Sequence, residues 1–151
     1  MRRLVLAGLC VGVLSLAAFG QMGGKSAADE VIGITKAQWA AEMKKDTASA
    51  MKNVADDYTE FNGEAATRIE GKAAATRLGE AQAGASGGLV AAEMLNPKVQ
   101  VYGDVAVLSY NFFGVAKDKD GKTENTRAKS TRVYVKKDGQ WWLVHANFGK
   151  D

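Results

Sequence analysis

Few side chains in this sequence are equipped for chemistry, and they are scattered. His145 is the sole histidine and Cys10 the sole cysteine, so no histidine cluster can be assembled for a metal and no intrachain disulfide can form. The unperturbed pKa of histidine suits His145 to general-base work. Asp56 and Asp57 are adjacent; on a helix they would point about 100 degrees apart, which does not make a matched acid–base pair. Asp118, Asp120 and Glu124 look like the start of a calcium loop, but Gly121 falls at the fourth position where an EF-hand needs glycine at the sixth, so the segment reads as a hairpin tip. Tyr58, Tyr110 and Tyr134 can offer hydroxyl donors to a cavity. Arg132 lies between Thr131 and Val133 in a strand-like run; if buried, its charge needs a carboxylate such as Glu60, or a ligand in its place. No Ser-His-Asp order, glycine-rich phosphate loop or metal-ligand spacing is present, so no cofactor is expected.

The elements that must position these groups can be read from periodicity and turn chemistry. ITKAQW reads as a helix start, with Thr35 as N-cap, Gln38 three residues on, and Ile34 set to staple against Trp39. Trp39, Met43, Thr47, Ala50, Met51, Val54 and Tyr58 follow helical spacing, which predicts one helix through about Asp56. YTEFN alternates like a short strand, Lys72 to Ala83 reads as a second helix, and GASGG ends it. Beyond Leu89 the chain turns β-rich, with connections at Gly103-Asp104, Asp120-Gly121 and Asp138-Gly139. Four consecutive antiparallel strands are predicted, over 90–102, 105–117, 123–137 and 140–148. Trp141 and Trp142 should present one indole to each face of the last strand. Helices followed by a meander make an α+β domain.

The 151 residues are one domain's worth, and 46% apolar with 25% charged is ordinary globular composition. MRRLVLAGLCVGVLSLAAFG combines a cationic start, a short apolar run and a small-x-small ending, the pattern of a secretory signal peptide over residues 1–20. A flexible leader over 21–31 and a folded domain over 32–151 are expected to follow. Arg2 and Arg3 leave with the signal, and the formal charge drops from +3 to +1, with 18 Lys and Arg against 17 Asp and Glu. No basic stripe for nucleic acid is then left. A periplasmic or secreted protein is expected.

The segments LNPKVQVYGDVAVLSY, DKDGKT and STRVYVKKDGQWWLVHANFG resemble the association domain of calcium/calmodulin-dependent protein kinase II and its free-standing bacterial relatives. Leu95-Asn96-Pro97, Gly103-Asp104, Ala106, Tyr110, Thr131-Arg132-Val133, Asp138-Gly139, Trp141 and Val144-His145 stand in that family's order and spacing. The resemblance implies a nuclear-transport-factor-2-like, SnoaL-like fold: N-terminal helices packed on a strongly curved antiparallel sheet forming a cone with an interior pocket. It also implies a homodimer, with higher rings an open alternative as in the kinase, and gives His145 a packing or interface role. The basic pocket positions of the kinase domain fall on Phe112, Arg132, Phe148 and Ala75. Arg132 alone among them is a cation, which implies a mainly apolar pocket with one positive charge.

The sequence therefore points to a non-catalytic module. It would bind a small apolar or mono-acidic ligand through Arg132, Tyr110, Phe112, Phe148 and Tyr58, or serve in assembly. A cofactor-free isomerase, dehydratase or hydrolase of the ketosteroid-isomerase-like type, with tyrosine hydroxyls holding an oxyanion, is the alternative. No kinase domain and no basic amphipathic helix for calmodulin is present.

Overall fold

The structure is a computed structural model, and it describes residues 25–63, 65–85 and 88–150. The expected export segment and leader residues 21–24 lie outside the described residues. Helix α1 (Ala27–Met43) starts well before Thr35. Its N-cap is Ser26, whose hydroxyl accepts from the Asp29 amide at 3.1 Å while the Asp29 carboxylate accepts from the Ser26 amide at 3.3 Å. This reciprocal box satisfies two of the helix's orphan donors, and Asp29 and Glu30 in the first turn suit its dipole. The predicted start at Thr35 and a leader reaching Val31 are both corrected by this cap. The predicted run to Asp56 is also too long. Lys45 takes a left-handed φ of 58°, Asp46 caps the short α2 (Thr47–Ala50), and Val54 already begins a strand.

Strand β1 (Val54–Phe61) is followed by β2 (Ile69–Glu70), α3 (Lys72–Ala85) and then β3 (Leu89–Tyr102), β4 (Val105–Lys117), β5 (Thr123–Lys137) and β6 (Gln140–Lys150). The four long strands agree closely with the predicted meander. Turn chemistry explains why: in the β5–β6 hairpin Asp138 and Gly139 both have positive φ, 53° and 78°, the twist-matched geometry of a type I′ turn.

The α+β reading holds, but the description of the sheet as antiparallel, strongly curved and cone-forming is corrected. One six-stranded sheet runs in the order β2-β1-β6-β5-β4-β3, and β1 lies parallel to β6. The sheet is mixed and open, neither closed nor strongly curled. The physical reason is connectivity: β1 precedes the meander yet pairs with its last strand, so β2 and β3 end as opposite, unjoined edges. Any pocket is then a cleft between the helices and one sheet face, not the inside of a cone.

That face carries the core. Leu108 and Tyr110 on β4, Arg132 and Tyr134 on β5, and Trp141, Leu143 and Ala146 on β6 are buried with Val31 and Trp39 of α1 and Val54 and Tyr58 of β1. A register shift in β6 pairs Val133 with His145 but Tyr134 with Leu143. The extra residue resets the alternation, so Ala146 and Phe148, not His145 and Asn147, follow Trp141 and Leu143 onto the helix side.

Candidate functional site

A cavity of about 620 Å³ lies between the helices and this sheet face. All five residues singled out from the sequence, Arg132, Tyr110, Phe112, Phe148 and Tyr58, line it, and so does Ala75 of α3. Strand register explains the convergence. Ser130 pairs with Tyr110 on one side and Phe148 on the other, and its small side chain leaves a gap between the two rings. The Arg132 side chain reaches along β5 into that gap: Nε donates to the Tyr110 hydroxyl at 2.9 Å, and the guanidinium carbon stands 5.3 Å from the centre of the Phe148 ring. From α1, Gln38 Oε1 accepts from Nη1 at 2.6 Å. Trp39 meets Tyr110 and Phe112 edge-on, with ring centres 5.6 and 5.3 Å apart.

Arg132 is only 3% exposed. Its hydrogen-bond partners are neutral, and among the described residues no carboxylate comes within 4.0 Å of it. The expected pairing with Glu60 is not made: Glu60 instead accepts from the Tyr58 hydroxyl at 2.7 Å and from the Asn62 amide. Burial works against the guanidinium charge, but the Tyr110 and Tyr134 hydroxyls more than offset it, and the Arg132 pKa is raised. Tyr134, fully buried, meets Thr35 Oγ1 at 2.7 Å; because the Thr35 hydroxyl donates to the Val31 carbonyl at 2.9 Å, the tyrosine is the donor of that contact. Burial, with Glu60 alongside, raises the Tyr58 pKa, and burial raises that of Tyr134 against the opposing pull of Arg132. Both phenols stay protonated donors.

Three polar groups in the wall had no functional assignment from the sequence. Gln38 links the guanidinium to Glu42, donating to its Oε1 at 3.0 Å, and Lys45 follows at the cavity's border. The i, i+4 spacing of Gln38 and Glu42 on α1 is the signal that could have found those two, whereas Lys45 lies just past the helix end. Glu42 as a residue is exposed, yet its carboxyl is crowded enough that burial raises its pKa; Arg132 and the Gln38 hydrogen bond oppose this and Glu60 adds to it. Glu42 and Glu60 both stand on the wall, so two carboxylates face the same cavity as the expected cation.

Other candidates lie elsewhere. His145 sits on the opposite sheet face, with Nδ1 2.8 Å from the Thr59 hydroxyl and its ring edge-on to Phe61. Asp56 and Asp57 are exposed on β1, not at a helix end. Asp118 holds the β4–β5 hairpin tip, its Oδ1 accepting from the amides of Asp120 and Lys122 at 2.9 and 2.8 Å. Trp141 is buried and donates to Glu30 Oε2 at 2.7 Å, whereas Trp142 lies half-buried on the other face.

The curated proteins contain no match to the sequence. Among solved structures, the hub homology domain of calcium/calmodulin-dependent kinase II from Chlamydomonas reinhardtii is 26% identical, with a TM-score of 0.71 over 83% of this chain and 99% of that one. The association domain of the Caenorhabditis elegans kinase is 24% identical, with a TM-score of 0.67 over 81% of this chain and 94% of that one. A candidate ketosteroid isomerase from Parabacteroides distasonis shares the fold at 20% identity, with a TM-score of 0.70 over 84% of this chain and 89% of that one. The family profile of the calcium/calmodulin dependent protein kinase II association domain matches residues 27–148, from the start of α1 to the last cavity residue of β6. The chain therefore belongs to the calcium/calmodulin dependent protein kinase II association domain family.

Proposed function

We propose that this protein is an exported, self-associating module that binds a small molecule in the Arg132 cavity. The observation that carries the reading is a guanidinium 3% exposed, with neutral partners, lining a cavity of about 620 Å³. A buried cation is costly unless a counter-charge meets it. A ligand carboxylate supplies that charge, while Trp39, Phe112 and Phe148 offer apolar and aromatic surface to the rest of the molecule.

Self-association is supported by kinship with hub and association domains and by the sheet face turned away from the helices. Val105, Val107, Val133, Val135 and Trp142 lie together there, only partly buried, with no described helix over them. Export rests on the N-terminal pattern alone. Native mass spectrometry of the protein from its own host tests binding and assembly together. A dimer carrying a small acid is expected; a ligand-free monomer would overturn the reading.

A second reading, a cofactor-free acid–base enzyme, is favoured by Glu42 and Glu60 facing the cavity that holds Arg132. Its test is deuterium exchange at a carbon next to a carbonyl, followed by NMR. Exchange that is lost in Glu42→Gln or Glu60→Gln would favour the enzyme over the binding module.

A further inference from the structure

The cavity carries both signs of charge, arranged by depth. Arg132, 3% exposed, is the buried cation. Glu60 on β1 is half-buried, and Glu42 near the end of α1 is exposed as a residue. The two carboxylates are close enough for Glu60 to push the Glu42 pKa up and for Arg132 to pull it down. Gln38 stands between the poles with its amide fixed at both ends, the oxygen on Arg132 and the nitrogen on Glu42. Lys45 also borders the cavity but is exposed, so solvent and salt screen it.

A purely anionic ligand meets this arrangement badly, because satisfying Arg132 places a third negative charge beside two carboxylates. A purely cationic ligand satisfies the carboxylates and leaves the buried guanidinium without a counter-charge. A molecule with a carboxylate at one end and an ammonium at the other matches both poles. We propose that the ligand class is a zwitterionic amino carboxylate, its carboxylate on Arg132 and its ammonium against Glu42 and Glu60, with its hydrocarbon spacer along Phe112 and Trp39. This rests on the reading of the Arg132 cavity as a binding site and adds the second pole. Specificity follows from charge complementarity, since a missing pole leaves a desolvated charge of the site unpaired.

The test is calorimetric titration of the full chain at neutral pH and low salt, with three probes of equal chain length: hexanoate, its ω-amino derivative and hexylamine. Shorter and longer homologues cover the spacing. The ω-amino carboxylate is expected to bind about tenfold more tightly than the plain carboxylate, as one added charge-assisted contact allows. In Glu42→Gln combined with Glu60→Gln that advantage should fall to about twofold or less. Circular dichroism checks that the variants keep their fold, and the single Glu42→Gln, at an exposed position, should show part of the loss even if the double variant unfolds. A plain carboxylate that binds the unaltered protein as tightly as the zwitterion, or an advantage that survives loss of both carboxylates, overturns the zwitterion inference but leaves the cavity reading standing. Failure of every probe to bind, or binding unchanged in Arg132→Met, overturns the cavity reading and the inference with it.

Discussion

Nη1 of Arg132 donates to Oε1 of Gln38 at 2.6 Å and so ties strand β5 to helix α1 across the cavity. Removing either partner has opposite consequences. Gln38→Ala leaves a buried charged donor without its acceptor and should destabilise the protein by about 1–3 kcal/mol. Arg132→Met removes a buried charge whose hydrogen-bond partners are neutral, fills similar volume and should leave the ligand-free protein as stable or more so. Urea unfolding midpoints decide the matter. If both variants lose comparable stability, Arg132 is a structural tie and not a site held ready for a counter-ion.

Thr35 and Tyr134 make the second tie between α1 and β5, 2.7 Å apart and both fully buried. Thr35→Val strands the Tyr134 hydroxyl, and Tyr134→Phe leaves Thr35 Oγ1 with its bond to the Val31 carbonyl alone; each should cost about 1–2 kcal/mol. The pair together should cost clearly less than the sum, because no orphan is left. A double-mutant cycle by thermal unfolding measures this, and additive losses would mean the contact contributes nothing of its own.

These two ties show what the sequence could and could not carry. Thr35 and Gln38 have the spacing of a helix-capping box, and that local pattern hides their actual use, which is to hold Tyr134 and Arg132 from the middle of a helix. The true cap, Ser26 with Asp29, uses aspartate where glutamate or glutamine is the stronger signal, and it follows a glycine-rich stretch. Val54 and Tyr58, four apart, fit one helix face and equally one strand face, so periodicity ran through the true break at Lys45. Hairpins are legible because their turns are local, whereas the β1–β6 parallel pairing has no local signature. Alternation along β4 and β5 brings Tyr110, Phe112, Arg132 and Tyr134 to one face. The partner of Arg132 lies 94 residues away on another element, and only the fold reveals it.

Glu42 should leave a mark on the pH dependence of stability. Its folded pKa is raised above the ordinary 4.5, first by burial. The folded state then binds the proton more tightly than the unfolded chain, so stability is fully present below 4.5 and declines as pH rises through the folded value. Glu42→Gln removes that decline, and because the residue is among the exposed ones, with solvent reaching part of it, the difference will be small. Subtracting the stability profiles of the two proteins between acid and neutral pH isolates the group. A variant that loses stability towards neutral pH more steeply than the parent contradicts the assignment.

Gly114 controls the position of the Phe112 ring. A Cβ at Gly114 would stand 2.6 Å from two atoms of that ring and 3.1 Å from a Leu89 methyl, while Trp39 meets the same ring edge-on. Gly114→Ala should therefore cost about 1–3 kcal/mol by overpacking and displace Phe112 within the cavity wall. A weakened affinity for whatever the cavity binds, with the fold retained by circular dichroism, is the expected result. Unchanged affinity together with unchanged stability would show that the ring moves freely.

The outer sheet face offers the last test, because it separates assembly from binding. Val133 sits at its centre, paired with Val107 on β4 and His145 on β6, and its side chain points away from the cavity. A carboxylate there costs the monomer little, since the position is not fully buried, but burying it in an apolar dimer contact would be expensive. Val133→Asp should weaken self-association about a hundredfold or more and leave the Arg132 site intact. Sedimentation velocity on both proteins over a concentration series reads the shift directly. A variant that still sediments as the parent does would place the contact on another surface, with the free edge of β3 next in line because Val90, Leu95, Val101 and Tyr102 are exposed along it.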